Sequence, residues 1–230
     1  MSSEQDSDLF GLGRAALTAA RAAFGGRAFF VGARRLQPDG SWSGPREAVC
    51  AVVEEEDLAG LGGLLAAQHT GANTVLCGPA GAVAREAVAL GMRCLIRVPF
   101  AAGESSSLRR TRLEQVGELL RKVPAVDGVV PVPAGEALGL DTIQFFAACR
   151  MACPSGHVVV DVERLGHKLG QLCLSFGADE MLGAIVNQRA LRLGAHASSN
   201  ELTRDEAVLL LRASGFVPCE RLPEGKVQAL

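Results

Sequence analysis

Leu165–Gly183 reads LGHKLGQLCLSFGADEMLG, and this stretch decides the fold. Leu165, Leu169, Leu172, Cys173 and Phe176 recur at helical spacing and predict one apolar stripe. Gly177 is a natural stop for that helix. A paired acid, Asp179-Glu180, then precedes Met181–Val186, a candidate last strand. A helix delivering the chain into a short apolar strand is one step of an alternating α/β fold.

The same alternation extends upstream. Arg27–Ala33, Ala48–Val53, Thr74–Cys77, Arg93–Val98, Gly128–Val132 and His157–Val162 are apolar runs of strand length. Between them, Asp57–Gln68, Ala82–Leu90, Ser105–Val123 and Leu140–Met151 read as helices. In the third of these, Leu113, Val116, Leu119, Leu120 and Val123 mark one buried face. Phe10–Phe24 is an opening helix, and residues 1–8 read as a disordered tail before a single domain over 9–230. Near the end, Thr203 and Glu206 form a capping box before Ala207–Ala213. Strands without polar alternation are covered on both faces, which means a parallel sheet under helices. Six or seven such strands fit a barrel or an open doubly wound sheet, with ligands at the C-terminal strand ends.

The 23 basic and 25 acidic residues leave a net charge of −2, with no basic footprint for nucleic acid or an anionic membrane. No apolar run reaches the ~18 residues of a membrane span. The opening MSSEQDSD is acidic rather than signal-like, and a cytoplasmic protein is expected. The seven cysteines are an odd, scattered set and read as buried free thiols.

Few residues carry chemistry. Cys149 and Cys153 (CRMAC) have the first spacing of a three-cysteine cluster motif, but position 156 is glycine, leaving them weak metal candidates beside His157. Asp161 and Glu163 close one strand and Asp179-Glu180 precede another, where carboxylates could contact a substrate. Arg97, near its strand end, could pair with one of them or face an anionic ligand.

Leu165-Gly166, Lys168-Leu169 and Gln171-Leu172 resemble the LGPKLAQ run of the menaquinone-pathway radical SAM enzymes, aminofutalosine synthase and dehypoxanthine futalosine cyclase. Phe176–Glu180 resembles their FGADD run, Gly194-Ala195 their AGA turn, and Pro218–Arg221 their P-x-E-R ending. The resemblance is best from about Ser107 to Pro223. It implies a TIM-type (βα) barrel, shortened or partial, with a nucleoside-like ligand. The ligand-binding candidates are then Asp179, Glu180, Asp161, Lys168, Gln171 and Arg97.

The family's three cluster cysteines would fall near 42, 46 and 49. Here stand Trp42, Arg46 and Val49, with Cys50 one place off. The expectation is a degenerate relative, non-catalytic or auxiliary, needing no cofactor. S-adenosylmethionine or a [4Fe–4S] cluster would enter only through a non-standard site. The middle strands read as missing, and the unpaired edges of a partial barrel suggest self-association or a full-length family enzyme as partner. The alternative is an enzyme using Asp179, Glu180 and Asp161 for acid–base chemistry on a futalosine-type nucleoside.

Overall fold

The computed structural model describes residues 3–135, 139–187 and 201–230; Gly194-Ala195 lie outside them. Seven strands run parallel in chain order: β1 (Arg27–Leu36), β2 (Cys50–Glu54), β3 (Thr74–Cys77), β4 (Arg93–Phe100), β5 (Gly128–Pro133), β6 (His157–Asp161) and β7 (Glu180–Gly183). Each pairs with the next, and β7 pairs back onto β1, from Phe29↔Glu180 to Gly32↔Gly183. The ring is therefore closed. The shortened TIM-type barrel is present, with seven parallel strands; the expectation of missing middle strands is corrected, because among the described residues the seven complete the circle and leave no ring edge unpaired.

An eighth strand, β8 (Val217–Arg221), lies parallel to Arg27–Phe30 and carries the antiparallel Val227–Ala229 on its outer edge. β1 can serve three parallel neighbours because of its ten-residue length. Its start faces β8, its middle β7, and Ala33–Arg35 face β2.

The helices longer than one turn are α1 (Ser3–Phe24), α2 (Leu64–His69), α3 (Ala84–Ala89), α4 (Ser106–Lys122), α5 (Gly139–Ala152), α6 (His167–Ser175) and α7 (Arg204–Ala213) among the described residues. α1 begins at Ser3, where a tail was expected over 1–8. The helix expected over Asp57–Gln68 breaks at Gly62 and Gly63, whose φ values of 79° and 106° are left-handed. Ser105 caps α4 by accepting a hydrogen bond from the Leu108 amide, and the Thr203–Glu206 capping box opens α7. No helix among the described residues is long and apolar enough to cross a membrane.

Gly166, at φ 74°, separates a short turn, Val162–Leu165, from α6. The helix phase restarts at His167. Cys173 and Leu174 are buried as a result, while Leu172, expected in the stripe, is exposed.

Strand alternation divides the core in two. Val31, Ala33, Cys50, Val52, Leu76, Leu95, Val130, Val159 and Leu182 fill the barrel interior. Phe30, Val75, Ile96, Val129, Val158 and Met181 belong to the larger core under the helices.

Candidate functional site

Continuing the inward parity of Val31, Leu95 and Val159 by two or four residues brings Arg35, Arg97 and Asp161 to the C-terminal mouth. The continuation of Val52 brings Glu54 there as well. These side chains tie the mouth across its width. Arg35 donates to Glu54 at 3.1 Å, to Glu163 at 3.2 Å and to Asp161. Arg97 bridges Glu54 and Glu56. Arg164 joins Glu54 to Asp161, approaching Asp161 Oδ2 at 3.2 Å. Three guanidiniums and four carboxylates thus occupy the end where this architecture places its chemistry. Burial works to lower the Arg35 pKa, but Asp161, Glu163 and Glu54 outweigh it and hold the guanidinium firmly protonated. The hydrogen bond from Arg97 holds the Glu56 carboxyl below its ordinary value.

Asp179 and Glu180 lie at the opposite end, where β7 begins. Asp179 is wholly buried. It accepts from the Val158 amide at 2.8 Å and pairs with Arg150 and with His157 Nδ1. Arg150, equally buried, also donates to the Gly177, Cys153 and Gly156 carbonyls at 2.8–3.0 Å. Glu180 receives both Nη atoms of Arg93, at 2.7 and 2.9 Å, and Arg221 Nε at 2.9 Å. Burial pushes the Glu180 carboxyl up, but Arg93, Arg221 and His157 outweigh it and hold it well below the carboxylate range.

The six candidate residues therefore do not converge. Arg97 and Asp161 share one network through Glu54 and Arg35. Asp179 and Glu180 serve another at the far end. Lys168 is exposed on α6 and Gln171 half-buried on it. Sequence reading missed Arg35, Glu54, Arg93, Arg150 and Arg164. The signal was available for one of them: Arg93 and Arg97 bracket Leu95 with period two in a strand buried on both faces, so both needed inward partners.

Burial pushes the Cys149 and Cys153 thiols up, away from the thiolate a metal would need. Among the described residues, the ligand atoms that do converge, within 4.8 Å, belong to Asp127, His157 and Glu180. Arg93 bridges both of those carboxylates and supplies the positive charge a metal would.

The resemblance implies an iron–sulfur cluster on the β1–β2 loop, but the donor set does not fit one. The loop from Gln37 to Val49 contains no cysteine. Cys50 starts β2 inside the barrel, its sulfur 3.1 Å from Thr74 Oγ1. Arg34 stacks on Trp42, at 4.3 Å, on the loop where the first thiolate would be needed.

No family model matches the chain. Over 87 residues, 37% of its length, it is 33% identical to aminodeoxyfutalosine synthase of Streptomyces coelicolor, and the match takes in 22% of that protein. Among solved structures it is similar to methylornithine synthase (PylB), with a TM-score of 0.64 and 12% identity over 95% of this chain and 90% of the other. It is also similar to the FeFe-hydrogenase maturase HydG from Carboxydothermus hydrogenoformans, with a TM-score of 0.60 and 14% identity over 95% of this chain and 73% of the other. The chain thus shares a (βα) barrel fold with these solved structures and, over that 87-residue stretch, a sequence likeness to aminodeoxyfutalosine synthase.

Proposed function

We propose that the chain is a non-catalytic, auxiliary relative of the futalosine-type radical SAM enzymes, keeping their barrel to bind a nucleoside-like ligand or a family enzyme. One observation carries this reading. The mouth, which would have to hold a cluster and substrate, is crossed by the Arg35, Arg97 and Arg164 ion pairs, beside a loop without thiols. Opening the mouth would strip buried Asp161 of its partners, which costs several kcal/mol per unpaired ion.

Anaerobic reconstitution with iron and sulfide tests the proposal. The expected result is no iron–sulfur chromophore and no reductive cleavage of S-adenosylmethionine. A chromophore with about four irons per chain would overturn it.

A further inference from the structure

The barrel end opposite the mouth holds a cavity of about 630 Å3, within the range of small-molecule sites. It lies among the starts of β2, β3 and β4 and the segment that follows β8. Val31, Met92, Leu222 and Pro223 supply apolar faces; Asp127 and Arg221 stand on the polar side.

Each of these two polar groups is held in place yet keeps hydrogen-bonding capacity unused. Asp127 accepts from Arg93 Nε at 2.6 Å through Oδ2, and its side chain is 32% exposed. Its Oδ1 has no hydrogen-bond partner among the described residues. Arg221 donates from Nε to Glu180 at 2.9 Å and lies over the Phe29 ring at 4.9 Å. Its Nη2 sits 2.8 Å from Glu180 without hydrogen-bond geometry and 3.7 Å from Asp127. Its Nη1 has no partner among the described residues. Asp127 and Arg221 thus stand side by side on the cavity wall, their Oδ2 and Nη2 atoms 3.7 Å apart, each held by its own partner before any ligand arrives.

Charge narrows the ligand class. Arg93 and Arg221 are balanced by Asp127 and Glu180, so the polar wall is neutral. A carboxylate or phosphate would meet Arg221 only by also meeting Asp127. A neutral ring with an N–H beside a C=O satisfies both groups and presents its faces to the apolar wall.

We propose that this cavity binds a neutral heterocycle through a lactam edge, the ring N–H donating to Asp127 Oδ1 and the carbonyl accepting from Arg221 Nη1. The site is separate from the mouth and does not depend on whether the chain is catalytic.

Calorimetric titration with inosine, whose ring N–H adjoins a carbonyl, is the test. Saturable binding is expected. Binding should weaken at least about tenfold for 1-methylinosine, which lacks that N–H, and for Asp127→Ala, because a site built to pair a polar edge rejects the analogue without it. No inosine binding, or equal binding of the two nucleosides, overturns the proposal. Binding lost in Arg97→Gln but kept in Asp127→Ala also overturns it, while leaving a nucleoside-like ligand at the mouth.

Discussion

Arg150 and Asp179, both without solvent exposure, form an ion pair in the wall between α5 and the start of β7. The pair is not isolated. The same guanidinium closes three backbone carbonyls, and the same carboxylate holds His157 and the Val158 amide. Phe24 at the end of α1 stacks on His157 at 4.2 Å, so the network also fixes the opening helix.

Arg150→Met should therefore destabilise the protein by about 3–5 kcal/mol, since it leaves a buried carboxylate and three carbonyls without their donor. Asp179→Asn keeps the shape and should cost less. Urea unfolding of the two variants against the parent measures the difference. Equal, small effects would mean that water reaches this network.

Glu180 predicts an acid response. Its carboxyl is held well below the ordinary value of 4.5 in the folded state. A carboxyl of that kind contributes stability in full above its unfolded pKa and loses it as pH falls toward the folded one. Urea midpoints should hold above about pH 5 and decline below about 4.5. Glu180→Gln should make that decline shallower. An unchanged slope would assign acid sensitivity to other carboxyls.

The mouth network is testable as a unit. In a double-mutant cycle, Arg35→Met and Asp161→Asn should couple by about 1–3 kcal/mol, because they share one buried contact. The Arg97–Glu56 arm is different, with the Glu56 side chain 68% exposed. Its coupling should fall as salt is raised, since exposed pairs are screened.

Gly128 faces the backbone of β6 so closely that an added Cβ would lie 2.2 Å from the His157 carbonyl oxygen. Gly128→Ala should destabilise by about 3 kcal/mol or more, because the obstacle is main chain and cannot turn aside. Gly13→Ala meets the edge of the Phe176 ring at 2.6 Å, and a ring can shift. Thermal melts should rank the first far below the second.

The alternation of β1 to β7 with helices was legible because each strand is an apolar run buried on both faces. Closure was not, because pairing of Phe29 with Glu180 leaves no local trace in either segment. Asp179 and Glu180 show the same limit. An acid next to an apolar run reads alike at either end of a strand. Here the strand starts at Glu180, which puts both carboxylates at the end remote from Asp161. Leu172 was misplaced by Gly166, which reset the helix phase that spacing from Leu165 had assumed.

The ten residues of β1 have a consequence for how the molecule is made. Made before its partners, this strand waits for β7, about 150 residues later, before that flank is covered, and longer still for β8. Contacts of such long sequence separation form slowly. Until those strands are made the nascent protein carries an adhesive border along β1, and a chaperone able to shield Arg27–Gly32 would govern how much of it survives to close the ring.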